Sequence, residues 1–496
     1  MSGQKNRRTA LLLQPGLGYM DSLRSAPSMP LGLLHASSMT TDSFRIIIFD
    51  QRTSRDWRRD LANTINKENP FAIGATMFIG PPTANALSML GFASNISNAH
   101  RFVGGVLPSI APETCFNDEE KRIESVICGE GESSLDAFLE RVSARESLEG
   151  VPGVCFVRGG AVVKNPLPPL IDLDSAPEIP YALVRPEKYV PAYGGRKTFY
   201  IETSRGCPFK CGYCYNSVFN RGAWRAQSPQ RVRERLIRAK DEFGANSVYF
   251  VDDNFFADKQ RGLEIASMLM DLRMEWQLQG VDIQSVKKMT SEDLALLKKS
   301  GLVRISIGVE SGSDRVRRFL GKSFSNSDVY ASISKLKEFG FIVFCSFMCD
   351  IPTETVSELR ESVTMALNAT RLHSNLRVSP FYRHVPSPGT RIYQASVEAG
   401  RPAPETIADW GSISFDWDEN AKDDKSYGVP YQRLHMATLF CDHKSREYSS
   451  SAAFRFLAAL YRPIARFRLK KMFFGLMPEA VVFERFLKRR SASSTR

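Results

Sequence analysis

No stretch of this chain approaches the roughly 18 uninterrupted apolar residues that a membrane-spanning helix needs. The start is basic, but the apolar run from Ala10 to Leu13 ends at Gln14-Pro15 and is too short for a signal-peptide core. A disulfide framework is missing as well. The nine cysteines are odd in number and follow no secretory signal. Charge of one sign is scarce over most of the length. The formal charge is +12, yet +8 of it lies between Arg455 and Arg490, where ten Lys/Arg meet two Glu. The near-balanced remainder is no phosphate-binding surface, which excludes a nucleic-acid partner. A soluble, cytoplasmic protein is expected.

What is present is ample material for a core: 496 residues, 43% hydrophobic and 24% charged, enough for about two to four domains. Over residues 1–150, short apolar runs (Thr9–Leu13, Phe44–Phe49, Phe71–Met77, Arg101–Val106, Ser125–Cys128) alternate with helix-like stretches. That alternation predicts a doubly wound, Rossmann-like α/β domain with its ligand site beyond the carboxyl ends of the strands. Residues 151–195 read as a hairpin turning at Arg158-Gly-Gly160, then a proline-rich linker. Residues 196–400 hold six further strand–helix units, short of the eight of a closed barrel, and predict a partial (β/α)6 barrel. Residues 401–496 read as a mainly helical region with basic amphipathic helices.

Three cysteines fall within eight residues, directly after the first barrel strand: Cys207-Pro-Phe-Lys-Cys211-Gly-Tyr-Cys214. Thiolates so spaced on one loop can hold one iron–sulfur cube. With no fourth cysteine at matching spacing, one iron of a [4Fe-4S] cluster is left open to a small molecule. A zinc site would ask for a second Cys/His pair, and none follows at a suitable distance.

At these residues the chain resembles the radical S-adenosylmethionine (SAM) superfamily, with Tyr213 as the aromatic before the last cysteine. The resemblance extends to Val251-Asp-Asp-Asn254, Ser306–Gly312 and Phe347–Glu354, with Asp350 and Thr353 where the family usually has glycine. It implies SAM contacts from Tyr213, Asp252, Asp253, Asn254, Glu310, Ser311 and Glu354. The first domain is similar to the cobalamin-binding domain of one large subgroup, through Pro30–Leu34, Phe49-Asp50, Val103–Ser109 and Gly129–Glu132. Cobalamin contacts are then expected from Thr76, Gly104, Gly105, Ser109, Gly129, Glu130 and Gly131. No Asp-x-His-x-x-Gly sequence occurs, so no histidine ligand beneath the cobalt is indicated.

The resemblance implies a cobalamin-dependent radical SAM enzyme. A methyltransferase acting on an unactivated carbon of a lipid or natural product leads, fed by an external donor such as flavodoxin or ferredoxin. Non-methylating oxidoreductases or cyclases and a non-catalytic corrinoid or Fe–S carrier are the alternatives. A methylthiotransferase is disfavoured, because Cys115, Cys128 and Cys155 stand far apart in sequence.

Weaker signals are read conservatively. Gly16-x-Gly18 lacks the third glycine of a dinucleotide fingerprint, with Asp21 in its place, and reads as loop packing. Cys345 and Cys349, four apart on one strand face, read as core, and His373 and His384 as satisfied polar groups. In the tail, Phe454–Leu487 interleaves apolar and basic residues, with Pro463 and Pro478 expected to break it. Packing against the barrel is the first reading of this tail. Peripheral contact with the inner face of the membrane is the second.

Overall fold

The computed structural model describes residues 7–18, 21, 27–190, 192–193, 195–401, 403–413, 429–442 and 452–480. Of the tail, residues 481–496 lie outside them. Two seven-stranded sheets organise the chain. The first contains β1 (Thr9–Gln14), β2 (Arg45–Asp50), β3 (Ala72–Thr76), β4 (His100–Gly104), β5 (Ser125–Ile127), β6 (Val154–Arg158) and β7 (Ala161–Lys164), in the order β2-β1-β3-β4-β5-β6-β7. β1 to β5 are parallel. β1 is buried at every position but Gln14, as expected of a strand covered on both faces. The hairpin β6–β7 extends this sheet by pairing antiparallel to β5, so the sheet runs past residue 150.

The covering helices follow from local signals. Trp57–Glu68 buries Trp57, Leu61 and Ile65, one turn apart each. Asp56 caps its first turn by accepting from the Arg59 N–H, and Asn69 ends it in the left-handed region.

The second sheet contains β8 (Ala192–Tyr193), β9 (Arg196–Ile201), β10 (Ser247–Phe250), β11 (Glu275–Val281), β12 (Leu302–Glu310), β13 (Ile342–Cys349) and β14 (Leu376–Arg383). β9 to β14 are parallel and neighbour one another in chain order, the arrangement of a partial (β/α)6 barrel. Helices return the chain between strands, three of them opened by reciprocal capping boxes at Thr290, Ser325 and Thr355. Along β13 burial alternates, and Cys345 and Cys349 sit on the buried side within the core. Burial pushes the Cys345 thiol up to about 12, so this pair packs as apolar matter.

Three contacts lock the segments together. Asp50, at the end of β2, pairs with Arg52 at 2.7 Å and accepts from the Tyr189 hydroxyl of the linker at 3.0 Å. The helix Tyr431–Leu439 lies along edge strand β14, where the Thr438 hydroxyl accepts from the Phe381 N–H. Asp442 accepts from the Val378 N–H at 2.6 Å, so backbone donors of that edge are satisfied. The final described helix, Ala452–Lys471, runs unbroken through Pro463, against the expected break. Both Pro463 and Ala459, whose carbonyl loses its N–H partner there, are exposed, so water can take the lost hydrogen bond.

Candidate active site

The loop leaving β9 is built before it reaches the cysteines. Asp252, buried just beyond β10, accepts from the Thr203 N–H (2.8 Å), the Thr203 hydroxyl (2.6 Å) and the Ser204 hydroxyl (2.7 Å). Burial raises its carboxyl to about 6, against the pull of those donors and of Arg261. Asp253 accepts from the Gly206 N–H at 2.8 Å. Gly206 has φ +82°, and a Cβ there would lie 1.9 Å from the Ala223 carbonyl oxygen, so the turn demands glycine.

Past that turn Cys207, Cys211 and Cys214 are half-buried on one loop. Asn254 directs its amide toward the Cys207 sulfur at 3.6 Å. Gly212 fastens the loop on both sides: its N–H donates to the Leu320 carbonyl (2.8 Å), and its carbonyl accepts from the Ile392 N–H (2.9 Å). Burial raises all three thiols, Cys214 to about 12; nearby carboxylates add to this, and so do neighbouring thiols at Cys211 and Cys214. Such thiols give up their protons when a cation replaces them. Three soft donors carried by one braced loop are the donor set of an iron–sulfur cluster.

Beside them stands a buried ionic knot. Tyr213 donates its hydroxyl to Glu310 at 2.9 Å. Lys322 lies 3.3 Å from Glu310 and 3.9 Å from Asp282, and donates to the Gly308 carbonyl at 3.0 Å. Burial lowers the Lys322 ammonium, but Glu310, Cys211 and Asp282 outweigh it and hold the group above its ordinary range. Glu310 has φ +67°, and so do Asp350 (φ +60°) and Thr353 (φ +68°) in sense. The backbone therefore keeps a glycine-like path at the two positions where glycine is absent. Arg383 (2.6 Å) and Arg401 (2.5 Å) hold Asp350, and Arg315 donates to the Thr353 carbonyl at 2.7 Å.

The carboxyl ends of both sheets face one cavity. Its walls include Thr76, Gly104, Gly105 and Gly129–Glu132 from the first sheet, with Glu202, Arg205, Tyr215 and Asp253 from the second. Gly104 and Gly129 bring bare backbone to this wall. A Cβ on Gly105 (φ +101°) would lie 2.7 Å from the Met77 carbonyl, so the fold itself requires that glycine. The glycine rim and the apolar Met77, Phe78 and Val106 fit a large, flat ligand approaching the backbone closely.

Not every expected contact reaches the cavity. The Ser109 hydroxyl donates to the Gly105 carbonyl (2.6 Å) and accepts from the Gly129 N–H (2.8 Å), bracing the two glycine loops from behind. Glu130 lines the wall, but its carboxylate is committed to Arg205 (2.7 Å), Arg225 (2.9 Å) and the Ile171 N–H (3.0 Å). Burial opposes its ionisation, and the two arginines still hold it below the usual carboxylate range. Asp252 and Ser311 are internal struts, the latter bonded to Ser362, and Glu354 accepts from the Ile351 N–H within the turn after β13. His373 bonds the Phe341 carbonyl at 2.8 Å, and His384 is buried beside Arg401; neither lines the cavity. Gly16 and Gly18 are taken up by loop packing, with the Gly16 N–H on Gln51 and Gly18 against Pro81.

Sequence reading missed Arg205, which binds Glu130, Glu132 and Glu202 at once, and His35, which lies 3.7 Å from Glu132 and 3.5 Å from Glu202 on the cavity wall. Lys322 was missed as well. The available signal was an arginine two residues before Cys207 at a strand end. The fold also brings Cys128 and Cys155 to 3.6 Å, although they are far apart in sequence; both are buried.

Residues 201–366 match the Radical SAM superfamily. The chain is 28% identical over 400 residues to an uncharacterised methyltransferase of Pyrococcus horikoshii, covering 79% of this chain and 84% of that protein. It is 24% identical over 384 residues to cytidylyl-2-hydroxyethylphosphonate methyltransferase of Streptomyces wedmorensis, covering 70% of each. Its fold is similar to that of the cobalamin-dependent S-adenosylmethionine radical enzyme OxsB with aqua-cobalamin bound. The TM-score is 0.72 at 17% identity, over 98% of this chain and 76% of that one.

Proposed function

With a radical SAM domain at residues 201–366, on a fold shared with a cobalamin-dependent SAM radical enzyme, we propose that this protein is a cobalamin-dependent radical SAM methyltransferase. The proposed acceptor is an unactivated carbon of a lipid or natural product. The observation that carries the reading is the cavity walled by the glycine loops of the first sheet and the cysteine-loop side of the second. Both methyltransferase relatives span most of this chain and support the methyl-transfer assignment.

Cys207, Cys211 and Cys214 would hold a [4Fe-4S] cluster. Gly104, Gly105 and Gly129 would admit the corrinoid to the rim. When bound, the cluster and SAM supply a carbon-centred radical, and the corrinoid supplies the methyl group. The protein's own part is positional. Asp252 and Asp253 fix the loop entering the cysteines, and Asn254 directs its amide toward the first sulfur. Tyr213, Glu310 and Lys322, bonded to one another beside the cysteine loop, carry opposite charges that would suit the ammonium and carboxylate of an amino acid. Arg205 ties the corrinoid-side loop to the cysteine loop, so the two halves keep one spacing.

The test is product analysis under reducing, anaerobic conditions. Reconstituted protein should release 5′-deoxyadenosine from SAM, and extracts of cells carrying the gene should contain a methylated compound absent without it. Absence of SAM cleavage with a full cluster would leave only a carrier role.

A further inference from the structure

The helix Ala452–Lys471 has two opposed apolar faces, and only one is covered. Ala458, Ala465 and Leu469 are buried against the body of the protein. Arg466 pins that side by donating to the Thr370 hydroxyl (2.9 Å) and the Cys441 carbonyl (3.1 Å). On the other side stand Phe456 (64% exposed), Leu457 (63%), Leu460 (58%), Ile464 (49%) and Phe467 (56%). At about 100° per residue these five fall within one arc of about 100°, opposite the buried three. Phe473 and Leu476 carry the exposed apolar surface past the helix end. A 20-residue helix is about 30 Å long, so this is a strip and not an isolated side chain.

Cations border the strip. Lys470 and Lys471 are exposed at its end, whereas the exposed Arg455 lies on the flank toward the covered face. Farther along the sequence, outside the described residues, stand Arg485, Lys488, Arg489 and Arg490. An apolar strip edged by positive charge complements an anionic bilayer: the apolar side chains enter the acyl boundary while the cations meet the headgroups. A second copy of this chain would bring its own +8 segment against the first, and repulsion opposes that pairing. No described helix is long and apolar enough to cross a membrane, so the strip can only lie along one.

We infer that the outward face of Ala452–Lys471 docks the protein on an anionic lipid surface. The inference stands independently of the cobalamin reading.

The experiment is sedimentation of the full chain with vesicles of phosphatidylcholine, alone or with about one third phosphatidylglycerol, at low and at physiological salt. The docked chain pellets with the anionic vesicles, and binding falls as salt rises. The variant K470A/K471A should bind roughly fivefold more weakly per cation removed. The variant F456S/L460S/I464S/F467S should lose vesicle binding while keeping its melting temperature, since all four side chains are exposed. No pelleting with anionic vesicles at low salt, or equal pelleting by the serine variant, would overturn the inference. So would a dimer that the serine variant dissociates, because a second copy would then cover the face.

Discussion

Arg205 Nη1 lies 2.7 Å from Glu130 Oε1, joining the residue after Gly129 in the first sheet to the loop that carries Cys207. Both side chains are almost wholly buried, and Arg205 also holds Glu132 and Glu202. The three carboxylates raise the guanidinium well above its ordinary range despite its burial. Removing one partner of such a group leaves uncompensated charge inside the protein. Arg205→Ala should therefore cost about 3–5 kcal/mol in denaturant unfolding. The double variant R205A/E130Q should recover part of that loss, whereas additive losses would show that the two do not act as a pair.

Gly104 and Gly105 should separate cofactor fit from fold. A Cβ at Gly104 meets only ordinary contact with the Ile127 carbonyl, at 3.4 Å, whereas at Gly105 it overlaps the Met77 backbone. Gly104→Leu is expected to keep the unfolding midpoint and lose corrinoid binding. Gly105→Ala is expected to lower the midpoint itself. Equal melting losses in both would remove the distinction.

Thr353 pays for a left-handed backbone that a β-branched residue adopts poorly. Glycine relieves about 1–2 kcal/mol of that strain and returns about 0.5–1 kcal/mol to the unfolded chain. Because Arg315 grips mainly the carbonyl of Thr353, Thr353→Gly should be as stable as the parent or slightly more so. A loss above about 1 kcal/mol would contradict this account.

Burial lowers His384 to about 3, with Arg401 adding to the effect. The folded state keeps the imidazole neutral, while the unfolded chain takes up a proton below the ordinary value of 6.5. This contribution to stability is complete above pH 6.5 and is lost as pH falls toward 3, at up to about 1.4 kcal/mol per pH unit. His384→Phe should flatten the pH dependence of unfolding in that window. An unchanged slope would place the histidine in water.

Much of this architecture is legible in the sequence because its signals are local. The strand–helix alternation, the glycines at strand ends and the Cys207–Cys214 spacing each lie within a few residues. The Arg205 cluster is not local: Glu130 lies 75 residues away, and nothing near it announces that its carboxylate is already committed. Sequence separation also hid Lys322, which reaches back to Gly308, 14 residues away, and to Asp282. Pro463 shows the opposite failure. A local rule predicts a break, but exposure at that turn makes the lost hydrogen bond inexpensive. Asp350 and Thr353 stand where the family usually has glycine in the turn after β13, and the arginines that hold its path come from other elements.

The corrinoid retained after gel filtration tests the central claim most directly. Reconstituted protein is mixed with hydroxocobalamin, freed of excess and read by its visible spectrum. The account predicts about one corrinoid per chain, in a base-off form, lost in Gly104→Leu while the iron content stays unchanged. A chain with a full cluster that retains no corrinoid would contradict it, because the cavity between the two sheets would then belong to another ligand.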